Sequence, residues 1–150
     1  MLVHVHSEQQ VCALAPIAGT VVISITNPAQ AAALQEGWEA VLRVKFLSGT
    51  IQPKPDPPRK NFPGWKPKYQ PCFNEGIARE IDGFCLAHHN KDFVVHCYAG
   101  LHRSIAIAAY IQDVFGAEMV RHVPSDGFDY AADSMYQMMM KPYEGIFPCK

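Results

Sequence analysis

Apolar residues along this chain alternate between two spacings, and the switches mark its elements. Residues 2–6 alternate apolar and polar side chains, as a half-buried strand does, and residues 8–14 suit a short helix after it. The run around Val21-Val22-Ile23 is β-branched and apolar, which predicts a buried strand over 20–26. Asn27-Pro28 ends that strand, and residues 29–34 predict one or two helical turns. Residues 41–46, Val-Leu-Arg-Val-Lys-Phe, alternate again and predict a third strand. The stretch 48–71 is dense in proline, too much so for regular structure, and predicts a long ordered loop or lid.

Beyond it, Ile77, Ile81, Phe84, Cys85 and Leu86 are spaced for one buried face of a helix over 73–89. Residues 93–96 predict a buried strand. Residues 104–115 are apolar nearly all round, which predicts the central buried helix, and Gly116 stops it. Residues 120–128 read as irregular, and 130–140 as a last helix before a tail containing Pro and Gly. Strands alternating with helices predict an α/β fold: a central, mostly parallel sheet of about four to five strands, flanked by helices in three layers. Residues 1–150 read as a single domain, without repeats or a linker.

Charge and composition narrow the function. A net charge of −1 argues against wholesale attraction to nucleic acid or to a membrane surface. The N-terminus has neither a basic region nor a long apolar stretch, so no signal peptide is expected. No apolar segment approaches the ~20 residues of a membrane span, and a cytoplasmic location is expected. The five cysteines (Cys12, Cys72, Cys85, Cys97, Cys149) contain no CxxC pair, which favours neither a zinc site nor a disulfide framework. Cys12 and Cys85 read as small buried side chains. Cys72 or Cys85 could pair with an oxidised Cys97.

The chemistry concentrates in His96-Cys97-Tyr98-Ala99-Gly100-Leu101-His102-Arg103-Ser104, between a predicted strand and a predicted helix. A strand, a tight loop and a helix N-terminus form an anion cradle, because backbone N–H groups converge and the helix dipole adds positive potential. Free cysteine has a pKa near ~8.5, and such surroundings lower it and yield the nucleophilic thiolate. Arg103 offers a planar fork that matches two phosphoryl oxygens. Gly100 permits a positive φ and a close backbone approach, with Tyr98, Ala99, Leu101 and His102 completing the phosphate-binding loop. Ser104 is placed to hydrogen-bond the Cys97 sulfur as it leaves, and His96 to orient the loop from behind.

The nine residues, His-Cys-x5-Arg-Ser, resemble the phosphate-binding loop of the cysteine-dependent protein tyrosine phosphatase superfamily. The short chain is most similar to its dual-specificity branch, in particular the compact bacterial and phage members. The resemblance covers roughly residues 20–140. It implies a phosphatase fold, a cysteinyl-phosphate intermediate, and neither a metal nor another cofactor. It also implies an aspartate general acid soon after the strand at 41–46, where this chain has Leu47-Ser48-Gly49. Asp56 is the only carboxylate between Phe46 and Glu75 and is assigned that role. Asp126 and Asp129 are the substitutes, and His102 could donate a proton or present a cation. Asp82 and Asp92 read as surface residues.

Lys54, Arg59, Lys60, Lys66 and Lys68 either draw anionic substrates to the site or form a solvated loop. Trp65 reads as a loop anchor, and Met138-Met139-Met140 as packing. His4 with His6, and His88 with His89, lack a third ligand, so no metal site is expected. The expected activity is hydrolysis of phosphotyrosine in protein substrates, open to phosphoserine and phosphothreonine. Two alternatives stand beside it. One is a phosphatase for RNA 5′-phosphates or phosphoinositides; the other is a pseudophosphatase that binds phosphorylated partners.

Overall fold

The computed structural model describes residues 1–47 and 72–144, together with two short strands at Lys54–Pro55 and Tyr69–Gln70. The strands are β1 (Leu2–Ser7), β2 (Thr20–Thr26), β3 (Val41–Lys45), β4 (Lys54–Pro55), β5 (Tyr69–Gln70), β6 (Asp92–Cys97) and β7 (Glu118–Arg121). The α-helices are α1 (Glu8–Ala13), α2 (Glu75–Ala87), α3 (Arg103–Phe115) and α4 (Ser134–Met140). The main sheet has five strands in the order β3-β2-β6-β1-β7, all parallel, while β4 and β5 pair antiparallel apart from it. This is the expected α/β architecture.

The pleat sorts the core into two unequal halves. Val3, Val5, Val21, Ile23, Val44, Phe93, Val95 and Cys97 project to one face, where α2, α3 and α4 cover them in the larger core. Val22 and Val94 project to the other face, against Val11 of α1 and a segment carrying Leu34 and Trp38. β6 is thus buried on both faces, which explains its unbroken apolar run.

Caps set the helix ends. Ser7 and Gln10 form a capping box at the start of α1, so β1 passes into α1 without a loop. The Asn74 side chain accepts the Ile77 N–H at 3.0 Å and starts α2. Gly116, at φ 73°, closes α3 in the left-handed conformation, as its position in the sequence predicts.

Five sequence expectations require correction. The stretch 48–71 does hold regular structure, since Lys54–Pro55 and Tyr69–Gln70 pair antiparallel. Residues 29–34 are not helical: Arg43 Nη1 takes the Ala32 carbonyl at 2.9 Å, and the Thr26 hydroxyl takes that of Gln30 at 2.9 Å. Those carbonyls bind side chains instead of helical N–H groups. The segment read as irregular begins in β7, an edge strand carried by backbone bonds to β1. The last helix is broken at Asp133, whose side chain accepts the Met135 N–H at 2.9 Å and restarts the chain as α4 after a 3₁₀ turn at Tyr130–Ala132. Leu86 is 52% exposed and lies off the buried face of α2, which Ala78, Ile81 and Cys85 form. Among the described residues no helix is long and apolar enough to cross a membrane.

Candidate active site

The loop between β6 and α3 lies at the carboxyl edge of the parallel sheet, where α/β proteins place their ligands. Cys97 ends β6 and is 3% exposed. Its Sγ lies 3.3 Å from the Gly100 N–H and 3.1 Å from Ser104 Oγ. Two hydrogen-bonding groups therefore meet the sulfur, one from the loop and one from the first turn of α3. No described side chain caps α3 at His102, so its first N–H groups stay available to an anion at the loop.

Gly100 is where the loop touches its scaffold. It has φ 74°, and a Cβ there would lie 2.9 Å from the His6 carbonyl carbon and oxygen and from the Ser7 nitrogen. Two residues before it, the Tyr98 carbonyl accepts the Glu8 N–H at 3.1 Å. The loop is thus moulded on the junction of β1 and α1. Gly100→Ala combines a disfavoured φ with a backbone clash and is expected to destabilise the fold by about 2–4 kcal/mol. Urea denaturation of the variant checks this; an unchanged midpoint would mean that the loop is not held against β1.

Arg103 enters α3 as its first residue and is 6% exposed. Its Nη1 donates to the Phe46 carbonyl at 2.9 Å and to Asn27 Oδ1 at 3.0 Å, and the guanidinium lies 5.9 Å from the centre of the Phe46 ring. Both bonds use Nη1, so the Nε–Nη2 edge makes no bond to another described residue. Burial lowers the Arg103 pKa, and the charges of Cys97 and Glu8 oppose that shift. Asn27 escaped the sequence reading because it stood next to Pro28 and read only as a strand breaker. Its place at the carboxyl end of β2, beside the strand that carries Cys97, was the available signal.

Behind Cys97, His96 is fully buried on the opposite face of the sheet. Its Nδ1 donates to the Cys97 carbonyl at 3.3 Å, which leaves Nε2 to accept from the Ser24 hydroxyl at 2.6 Å. Burial pushes the His96 pKa down to about 4, so the ring is neutral at pH 7 and its tautomer follows from these partners. His96 thus bridges the Cys97 carbonyl and the Ser24 hydroxyl.

At the loop's outer rim, His102 Nε2 lies 2.7 Å from Asp126 Oδ2, and the His102 ring meets that of Phe128 tilted, with centroids 4.5 Å apart. The His102 hydrogen bond lowers the Asp126 pKa. Of the sequence's substitute acids, Asp126 therefore reaches the loop, whereas Asp129 caps the 3₁₀ turn through the Ala131 N–H. Asp56 lies outside the described residues, as do Trp65, Arg59, Lys60, Lys66 and Lys68 and the side chain of Lys54.

Asp82 and Asp92 do not behave as surface residues. Asp82 accepts hydrogen bonds from Tyr110 and Tyr143, and Asp92 Oδ1 takes the Leu2 N–H at 2.8 Å. Cys85 is fully buried in α2, where burial pushes its thiol pKa up, so it does not suit exchange with Cys97. Cys72 is buried too, whereas Cys12 is half-buried and lines a surface cavity, contrary to its reading as a core residue.

The strand histidines acquire a neighbour that the sequence did not suggest. His122, just past β7, lies with its Nε2 2.9 Å from His4 Nδ1 and stacks at 4.1 Å on His6. Among the described residues, however, no three His, Cys, Asp or Glu side chains are arranged to hold a metal.

Comparison with protein-family models, with curated proteins and with solved structures found no match.

Proposed function

We propose that this protein is a cysteine-dependent phosphomonoesterase acting on phosphorylated protein side chains, phosphotyrosine foremost. The observation that carries the reading is the setting of Cys97 Sγ, met by the Gly100 N–H and the Ser104 hydroxyl, with the half-committed Arg103 opening the adjacent helix. The reading also rests on the resemblance of residues 96–104 to the tyrosine phosphatase loop.

In the first step the Cys97 thiolate attacks phosphorus. The S–P bond forms as the P–O bond to the leaving group breaks, and that oxygen takes a proton. The Nε–Nη2 edge of Arg103 and the loop N–H groups hold the three equatorial oxygens. In the second step a water oxygen attacks phosphorus and passes its proton back to the group that protonated the leaving oxygen, as the S–P bond breaks to a thiolate. The Ser104 hydroxyl at 3.1 Å donates to the departing sulfur. Nothing in this sequence calls for a metal or another cofactor.

Among the described residues, His102 paired with Asp126 is the proton donor best placed at the loop. Protonated His102 donates through Nε2 to Asp126 and keeps Nδ1–H for the leaving oxygen; Asp126 is a positioning residue. His102→Gln is then expected to cut kcat/KM for an alkyl phosphate by about 10²–10³-fold, and for para-nitrophenyl phosphate by less than about tenfold. An equal loss on both substrates would remove His102 as the acid. The same comparison with Asp56→Asn decides between His102 and the residue that the sequence nominates.

Charge supports a protein substrate over the polyanionic alternatives. Glu8 flanks the loop on the side of α1, and a carboxylate there opposes an RNA end or a multiply phosphorylated inositol. The decisive experiment is hydrolysis of para-nitrophenyl phosphate by the wild-type protein between pH 6 and 8. Turnover supports the enzyme. Binding of inorganic phosphate without turnover would mark a pseudophosphatase instead.

A further inference from the structure

A cavity of about 350 Å³ adjoins the phosphate loop on the side of α1, lined by Ser7, Glu8, Gln9, Cys12, Tyr98 and Ala99. Two of its walls are thus residues of the loop itself, and a group seated there lies next to the phosphorylated residue. The walls are fixed relative to one another, because the Glu8 N–H holds the Tyr98 carbonyl at 3.1 Å and Ser7 and Gln10 cap α1 reciprocally. Tyr98 is 68% exposed, an unusual exposure for so large a ring beside a buried nucleophile.

The lining has one sign. Among the described residues it holds a carboxylate, an amide, a thiol, a hydroxyl and an aromatic ring, and no Lys or Arg. Glu8 is half-buried at the mouth, close enough to the loop for its charge to act on Arg103. A carboxylate beside an exposed ring suits a guanidinium or ammonium group, which can pair with the one and lie over the face of the other. An acidic residue in the first turn of a helix also has a local reason, the helix dipole. The dipole accounts for Glu8 alone, however, and not for the exposed Tyr98 ring or the open cavity between them.

We infer that this cavity is a subsite for a basic side chain, and that the preferred substrate is a phosphotyrosine peptide with an arginine or lysine flanking the phosphorylated residue. The inference rests on the phosphatase reading and names its substrate class.

The test measures binding to the Cys97→Ser protein, so that no turnover intervenes. Two phosphotyrosine peptides are compared, one with arginine on both sides of the phosphotyrosine and one with alanine there. The arginine peptide is expected to bind about tenfold tighter at low salt, from one partly exposed ion pair and one cation–π contact. The ratio should fall to about one in Cys97→Ser with Glu8→Gln, and part of the way in Cys97→Ser with Tyr98→Ala. Equal affinities in Cys97→Ser, or a ratio unchanged by Glu8→Gln, overturn the subsite; so does tighter binding of a 5′-phosphorylated oligonucleotide than of either peptide. Wild-type turnover of para-nitrophenyl phosphate, run in parallel, separates this failure from failure of the phosphatase reading.

Discussion

Cys97→Ser is expected to reduce turnover of para-nitrophenyl phosphate by at least about 10⁴-fold while inorganic phosphate still binds. A thiol ionises far more readily than a serine hydroxyl, and among the described residues only the Ser104 hydroxyl and the Gly100 N–H meet this position, neither of them a base. The substitution keeps the shape of the site: the Gly100 N–H and Ser104 hydroxyl still find an acceptor, and the Arg103 anchors at Phe46 and Asn27 are untouched. Rate and affinity should therefore part company, which is the signature of a lost nucleophile and not of a damaged fold. Phosphate binding is read by calorimetry and the rate by release of nitrophenolate. A Cys97→Ser protein retaining more than a hundredth of the wild-type rate would assign the chemistry to another group.

The second large effect concerns acid. Burial lowers the pKa of His96 from 6.5 to about 4, and burial together with the neighbouring His122 and His4 does the same to His6. Both folded values lie below the unfolded one. Between about pH 6.5 and pH 4 the unfolded chain therefore holds more protons than the folded chain, and stability rises with pH across that window. Read downwards, the stabilisation present above pH 6.5 drains away and is gone near pH 4. His96 contributes about 3 kcal/mol on this reasoning, with a loss of similar order from His6. For a domain of ordinary stability that is enough to unfold it. Urea denaturation at pH 7.5, 6 and 5 measures the slope, and His96→Asn should remove about one proton's worth of it. A stability independent of pH between 7.5 and 5 would show that these rings are open to water.

The nine-residue loop was legible because its constraints are local. The cysteine, glycine, arginine and serine act within one strand end, one turn and one helical turn, and sequence spacing reports that directly. The sheet strands β1, β2, β3 and β6 were legible from period and β-branching. Long-range partners were not. β7 offers only half-buried Met119 and Val120 and exists because β1 presents an open edge. Asn27 matters only because β2 lies beside β6, and Asp126 only because the chain after β7 returns to His102. Glu8 looked like a helix-starting residue until the fold set it against the loop. Residues 29–34 have a helical composition, but their carbonyls go to Thr26 and Arg43, which composition does not reveal.

The moulding of the loop on the β1–α1 junction also bears on how the protein is made. Val3 pairs with Phe93 and Ser7 with Cys97, and these residues are separated by 90 positions along the chain. A ribosome must therefore release the chain through residue 97 before β1 has its central neighbour, and parallel pairings of such separation close slowly. Until then Gly100 has nothing to pack against, and the sulfur has neither Ser104 nor a completed turn above it. The hydrogen-bonded setting of the sulfur thus comes into being only with the finished sheet.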